Sequence, residues 1–206
     1  STYRSHRIDL LSRLYSKNLV KQGLVSFNSP GLDKLDEAVT NLPKASLDIY
    51  HQQRHNLANT LTIDQLAIHG SLSASLDLDN ARKCFVQIVT ETIFHYPHSF
   101  FTEKIAKPLA IGHPFVAVAN TGFYRDLQAL GFQTFSGLID ESFDSIESGA
   151  DRFQRIIQVI RDLCQQDLDA FIRAAEPICK YNQQHLQEFA QQHMAELPQR
   201  ILNYIQ

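Results

Sequence analysis

Short apolar runs alternate with stretches of helical periodicity in the middle of the chain. Residues 84–89 and 114–119 are apolar and β-branched, with the length of strands that are buried on both faces. Between them, residues 101–111 place apolar side chains at helical spacing and end at Gly112, a residue type that commonly terminates helices. This order predicts a strand, a helix and a second strand with short joins.

The same alternation continues beyond the second predicted strand. A helix is predicted over residues 123–130, where Gly131 ends it, and a brief strand over residues 133–135 follows. Strands that alternate with helices in this way pair in parallel through right-handed crossovers. The fold class predicted is therefore α/β, with a Rossmann-like open parallel sheet and flanking helices.

The N-terminal part of the chain has a weaker pattern. Residues 7–20 have helical spacing, and residues 24–28 alternate as a short strand does. Residues 31–80 are rich in Asp, Asn, Ser and Leu, and short helices are predicted there over residues 33–40 and 45–58. Part of this stretch is interpreted as an insertion.

The C-terminal part is predicted to be helical. One helix covers residues 152–164 and a second covers residues 167–204, with interruptions near Pro177 and Pro198 because proline disrupts helix interiors. A chain of 206 residues is long enough for one domain with a helical appendage. The predicted organisation is a Rossmann-like domain over residues 1–165, with residues 31–80 as the insertion, and a helical extension over residues 166–206.

Composition and charge argue against some of the partners that the protein could bind. The formal net charge of −3 and the lack of a basic cluster argue against binding nucleic acid through bulk electrostatics. No apolar run approaches the roughly 20 residues of a spanning helix, so no membrane span is predicted. Cys84, Cys164 and Cys179 are widely spaced and odd in number, which is typical of reduced thiols. These features predict a cytoplasmic protein.

Polar residues follow each of the two main predicted strands and also begin the helix between them. These clusters are residues 90–92, 102–104 and 120–122. Ligands bind beyond the carboxyl ends of the strands in an open parallel sheet, so we expect the clusters to gather there. The candidate ligand-binding residues are Thr90, Glu91, Thr102, Glu103, Lys104 and Gly122.

The predicted helix that begins near Thr102 has the chemistry to bind a diphosphate. Its first N–H groups lack partners within the helix and lie at the positive end of the helix dipole. Lys104 would add a point charge, and Glu103 could accept hydrogen bonds from two neighbouring ribose hydroxyls. In the alternative interpretation, Thr102 and Glu103 only cap the helix while Lys104 is solvated. Arg7 or Arg152 would add a second cation if the fold brought either to the cleft.

Other patterns that suggest chemistry are weak. Asp77 and Asp79 form a D-x-D pattern, but Asp167 and Asp169 form the same pattern inside a predicted helix, so a solvated acidic turn is favoured over a metal site. The chain has no G-x-S-x-G, Walker loop or G-x-G-x-x-G, which argues against common hydrolases, P-loop enzymes and dinucleotide dehydrogenases. We predict no metal site and assign no catalytic residue.

The segment around the predicted helix resembles a known family. Phe-Thr-Glu-Lys-Ile at residues 101–105, Lys-Pro-Leu at 107–109 and Gly-His-Pro-Phe-Val at 112–116 look like the donor-binding C-terminal half of GT-B glycosyltransferases of the fucosyltransferase type. Residues 88–92, 130–135 and 140–144 are similar to segments of related bacterial and phage proteins of uncharacterised function, so the resemblance covers roughly residues 81–165. The resemblance implies that Glu103 holds the ribose of a nucleoside-diphosphate sugar and that Lys104 holds its phosphates. Thr102 would add hydroxyl or backbone contacts, and the nucleotide-sugar would be a donor substrate with no separate cofactor.

One departure from that family affects the prediction of activity. A GT-B enzyme has a second Rossmann-like half that binds the acceptor, and residues 1–80 are too short and too poor in strands to form it. A separate acceptor-binding partner or a removed segment would have to supply that half. The alternative is a non-catalytic interaction domain that forms a homodimer through its C-terminal helices.

Overall fold

The computed structural model describes residues 4–61 and 78–205, with side chains described as far as residue 194. Within these residues the chain is a mixed α/β structure with eight α-helices and a two-stranded parallel sheet. Two 3₁₀ helices, Val20–Gln22 and Ser142–Ser145, join longer elements. The helices and strands, in chain order, are α1 (Ser5–Ser16), α2 (Leu32–Val39), α3 (Lys44–Leu57), α4 (Leu78–Arg82), β1 (Gln87–Thr90), α5 (Glu103–Ile111), β2 (Phe115–Val118), α6 (Phe123–Ala129), α7 (Gly149–Leu163) and α8 (Leu168–Ile205).

The predicted strand–helix–strand unit is present. β1 and β2 pair in parallel, with Gln87 opposite Phe115 and Thr90 opposite Val118, and α5 connects them. All four residues of β2 are buried, as predicted. In β1 only Val89 is fully buried, so the prediction that this strand is covered on both faces is wrong.

The ends of α5 follow from local sequence. Thr102 is the N-cap, and its hydroxyl oxygen accepts a hydrogen bond from the amide of Lys104. At the other end, Gly112 has a φ of 63°, the left-handed conformation that glycine adopts without a steric penalty. The predicted helix and its glycine stop are therefore confirmed.

The predicted strand at residues 133–135 is wrong. The main chain there is bonded to side chains and not to a neighbouring strand: Asn182 accepts from the amide of Gln133 at 2.8 Å and donates to its carbonyl at 2.9 Å. The amide of Phe135 donates to a Glu141 carboxylate oxygen at 2.7 Å. A Rossmann-like sheet has more strands than the two described, so the described residues establish only the mixed α/β class.

The strand predicted over residues 24–28 is also wrong in its extent. Phe27 forms a single antiparallel bridge with Leu61, and its neighbours pair with no other strand in the described residues. The two short helices predicted nearby are present as α2 and α3. Residues 62–77, which belong to the predicted insertion, lie outside the described residues.

Helix α1 lies between two hydrophobic cores. Its Leu10 packs into the larger core, which contains the sheet and parts of α5 to α8. Its Ile8 and Leu11 pack into a smaller core with α2 and α3, where Tyr50 and Leu57 are fully buried. Because α1 contributes to both cores, it positions its N-terminal residues against the sheet.

Helix α8 is continuous, so the predicted interruptions near Pro177 and Pro198 are wrong. Ala175 and Cys179 are buried on either side of Pro177, and this packing offsets the hydrogen bond that proline cannot donate. Side chains of α8 also bind the carboxyl ends of shorter helices: Gln183 donates to a carbonyl of α5, and His185 lies 2.8 Å from the carbonyl that follows α6. None of the helices described here is long and apolar enough to cross a membrane.

Candidate functional site

Five of the six candidate residues meet at the carboxyl end of β1, where Glu91 is the central group. Glu91 is 1% exposed, and its carboxylate accepts hydrogen bonds from the Thr102 hydroxyl at 2.5 Å and the Thr102 amide at 3.4 Å. It also accepts from the amides of Thr92 and Ile105, each at 3.2 Å. Glu91 thus ties the end of β1 to the first turn of α5.

This arrangement changes the interpretation of the helix N-terminus. The amides of Lys104 and Ile105 already donate to Thr102 and Glu91, so the prediction that they are unpaired is wrong. An internal carboxylate takes the position that was predicted for a phosphate, and it gains the favourable interaction with the helix dipole. The amides of Lys104 and Ile105 are therefore occupied, and the side-chain cations are the groups considered for an anion.

Lys104 and Glu103 form an ion pair on the solvent side of the buried Glu91 carboxylate. The Lys104 ammonium lies 3.0 Å from a Glu103 carboxylate oxygen and 3.3 Å from the hydroxyls of Thr92 and Thr102. The hydrogen bond from Lys104 lowers the pKa of the Glu103 carboxyl below its usual value. Both side chains reach solvent, with 28% of Lys104 and 42% of Glu103 exposed, so a ligand can contact them.

Arg7 brings a second cation from α1. Its guanidinium donates to the carbonyl oxygen of Thr90 at 3.3 Å, next to Glu91 in the chain. Burial lowers the pKa of Arg7, an effect that Glu91 and Glu103 oppose. Among the described residues the buried Nε of Arg7 has no hydrogen-bond partner.

Arg152 is not part of this group, so the expectation that it could reach the cleft is wrong. It is 2% exposed, and its guanidinium donates to the carbonyls of Phe94 at 2.6 Å and Ile146 at 2.7 Å. The guanidinium carbon lies 4.3 Å from the centre of the Phe94 ring. These contacts hold Arg152 inside the protein.

Gly122 belongs to a second cluster at the start of α6. Its φ of 78° is left-handed, and an added Cβ would come within 2.6 Å of the Arg125 side chain. The carboxylate of Asp144 accepts from the amides of Tyr124 and Arg125 at 3.0 and 3.2 Å, so this helix N-terminus is also capped internally. No described hydrogen bond joins Gly122 to Lys104 or Glu103.

Two of these groups have roles that the sequence analysis missed. Residues 140–144 form an acidic turn in the sequence, for which packing or helix capping is expected, but the sequence predicted neither which helix Asp144 caps nor a contact of His6. His6 is buried, and its Nε2 donates to the carbonyl of Glu91 at 2.9 Å while its ring stacks on Phe94. The partners are 19 or more residues away in the chain, so no local pattern could have indicated them.

His6 gives the stability of the protein a pH dependence. Burial lowers its pKa from 6.5 to about 4, so the folded state favours the neutral ring. Stability is therefore complete above pH 6.5 and falls as the pH decreases towards 4, by about 2–3 kcal/mol. Urea unfolding measures the free energy of unfolding at pH 7 and at pH 4. Between these two pH values it should decrease by about 2–3 kcal/mol less in His6→Gln than in the parent protein. The exposed His98, changed to Gln as a control, should leave the parent pH dependence in place.

Of the two aspartates in the D-x-D pattern, only Asp79 lies in the described part of the chain. Asp77 lies outside the described residues, and Asp79 pairs with Arg82 at 3.9 Å on α4. In residues 4–61 and 78–194, whose side chains are described, no three His, Cys, Asp or Glu side chains are grouped so that they could hold a metal ion.

Comparisons with known proteins leave the family open. No protein-family model matches the chain, and neither does any curated protein or solved structure. The likeness to GT-B glycosyltransferases therefore stays a prediction based on residues 101–116.

Proposed function

We propose that this chain is a Rossmann-like donor-binding domain that takes a nucleoside-diphosphate sugar at the carboxyl end of β1. The main supporting observation is that Lys104, Glu103 and Arg7 lie around the same buried carboxylate, Glu91, and that Lys104 and Glu103 reach solvent. Two cations and one accessible carboxylate provide complementary contacts for a diphosphate and a ribose. The reaction class proposed is transfer of the sugar to an acceptor.

The diphosphate is proposed to bind Lys104 and Arg7. Lys104 has three N–H donors, which now contact hydroxyls and Glu103, and these contacts can be exchanged for phosphate oxygens. The Arg7 guanidinium makes one described hydrogen bond, to the Thr90 carbonyl at 3.3 Å, and this contact can be exchanged in the same way. Because charge-assisted hydrogen bonds are stronger than neutral ones, a phosphate competes well for both groups.

The ribose is proposed to bind Glu103. Its carboxylate is ionised near neutral pH, since Lys104 lowers its pKa, and 42% of the side chain is exposed to solvent. Two neighbouring hydroxyls of a ribose can donate to the two carboxylate oxygens together. Glu103 would thus distinguish a ribonucleotide from a ligand that has only phosphates.

In the transfer step, the bond between the anomeric carbon and the diphosphate oxygen breaks, and negative charge moves onto the departing diphosphate. Lys104 and Arg7 would stabilise that charge electrostatically as it develops. Activation of the acceptor is assigned to a separate acceptor-binding partner. This chain is proposed to contribute the donor half of the reaction.

Isothermal titration against the diphosphates of adenosine, guanosine, uridine and cytidine tests the proposal. Lys104→Ala should weaken binding of the preferred nucleotide about ten- to a hundredfold, the value of one charge-assisted contact. Glu103→Ala should have a similar effect on the ribonucleotide and little effect on inorganic pyrophosphate. Lys34→Ala, at an exposed position of α2, serves as the matched control and should bind as the parent does.

The pattern of losses separates the proposal from a generic anion site. If Glu103→Ala lost as much affinity for pyrophosphate as for the nucleotide, Glu103 would not recognise a ribose. Failure of the parent protein to bind any of the four nucleotides would contradict the proposal. It would instead favour the assembly role, in which α8 joins two copies of the chain.

A further inference from the structure

A groove of about 540 Å³ opens at the amino-terminal ends of the two strands, at the opposite end of the sheet from Lys104. One wall is the turn before β1, with Cys84 and Phe85, and the floor includes Pro114 just before β2. The other wall is α8, with Ile172 among its lining residues. The volume is in the range of sites that bind small molecules.

The inner surface of the groove is mostly apolar. Phe85 is 38% exposed and contributes aromatic surface to one wall. Ile111 and Ile172 add aliphatic surface on facing elements. Burial raises the pKa of the Cys179 thiol to about 11, so this group stays protonated and acts as a small apolar side chain.

The polar groups in the walls already have partners. The ring nitrogens of His113 lie 2.8 and 2.9 Å from the carbonyl oxygens of Cys84 and Pro114, so the nitrogen that carries the proton donates within the protein. Gln183 donates to a carbonyl of α5, and Glu176 pairs with Lys180 at 2.6 Å. A ligand that must be recognised by many hydrogen bonds, such as a sugar or a nucleobase, therefore finds few free partners here.

Free positive charge is concentrated at the rim next to Phe85. Lys83 has no carboxylate within ion-pair distance among the described residues. Arg82 has only the exposed contact with Asp79 at 3.9 Å. An apolar surface with two cations at one edge is complementary to an amphipathic anion.

We propose that this groove binds an amphipathic anion with a single alkyl chain, of the fatty-carboxylate class. The alkyl chain lies along Phe85 and Ile172, and the carboxylate head pairs with Lys83 and Arg82. Burial of the chain provides the main free energy, and the rim cations fix its direction. The proposal does not depend on nucleotide binding, because the two sites share no residue.

The cysteines of the protein provide a direct test with dodecanoate as the probe. Cys84 lines the groove, whereas Cys164 is exposed at the end of α7 and lies outside the groove. Dodecanoate below its micellar concentration should slow the alkylation of Cys84 by maleimide, measured by peptide mass spectrometry, at least about fivefold at saturation. The alkylation of Cys164 should not change.

Variants and a neutral ligand test the two halves of the proposal. Lys83→Glu should weaken protection of Cys84 about tenfold, which corresponds to about 1.4 kcal/mol, and Ile172→Trp should remove protection by filling the groove. Lys34→Glu makes the same charge change on α2 and should have no effect. Equal protection by dodecanol would overturn the role of the cations. Absence of protection, or equal protection of Cys84 and Cys164, would overturn the site.

Discussion

Replacing Glu91 by alanine is expected to lower the free energy of unfolding by about 4 kcal/mol. The carboxylate is almost fully buried and accepts four hydrogen bonds, from Thr92, from Ile105 and twice from Thr102. Its loss leaves these donors without an acceptor where water has little access, and each unpaired buried donor costs about 1–3 kcal/mol. Urea unfolding followed by circular dichroism at pH 7 measures the change.

Two further variants identify the cause of this loss. Glu103→Ala removes a neighbouring carboxylate that is 42% exposed, and it should change the free energy of unfolding by less than about 1 kcal/mol. Glu91→Gln keeps one acceptor oxygen and should lie between the alanine variant and the parent. If Glu91→Ala were as stable as Glu103→Ala, the role of Glu91 as the internal cap of α5 would be refuted.

The parallel unit could be predicted from sequence because its signals are local. Two short apolar runs flank a helical stretch that ends in Gly112, and this order is sufficient to predict β1, α5 and β2. The short helices α2 and α3 were also predictable from spacing. In each of these elements the local preference agrees with the packing of the fold.

The wrong predictions share a physical cause, which is that distant side chains override local patterns. Residues 133–135 alternate as a strand does, but Asn182 on α8 takes the hydrogen bonds that a neighbouring strand would supply. Pro177 predicted a helix break, yet buried residues on both sides of it keep α8 continuous. Neither partner is detectable within a window of local sequence.

The candidate site was predicted only in part, because some of its contacts also depend on residues that are distant in the chain. The meeting of residues 90–92 with residues 102–104 follows from parallel strands and a short helix, and it is confirmed. That Glu91 would itself occupy the helix N-terminus was not predictable, because a carboxylate after a buried strand fits either a ligand contact or an internal cap. Glu91 is 11 to 14 residues from the amides of Thr102 and Ile105, which donate to it, so the local sequence does not show which of these two roles it has.

Replacing Arg152 by alanine is expected to lower the free energy of unfolding by about 4 kcal/mol as well. Arg152 is a buried cation with no carboxylate within ion-pair distance in the described structure. Its guanidinium donates to the backbone carbonyls of Phe94, Ile146 and Glu147 and stacks over the Phe94 ring. Alanine removes the ring contact, leaves a cavity and leaves three carbonyls with fewer donors, and these effects act together on the loops after β1 and before α7.

Two further variants test whether the hydrogen-bond geometry of Arg152 matters. One replaces Arg152 by lysine, and the other replaces Arg155, one turn further along α7, by alanine. Arg152→Lys keeps the charge but lacks the planar guanidinium, which donates to several carbonyls at once. We therefore expect the free energy of unfolding to fall by about 2–3 kcal/mol. Arg155→Ala removes a partly exposed arginine that pairs with Asp140, and it should cost less than about 1 kcal/mol. Urea unfolding of the three variants at pH 7 gives these values directly. If Arg152→Lys were as stable as the parent, charge alone would explain the role of Arg152, and the assignment of its planar hydrogen bonds would have to be abandoned.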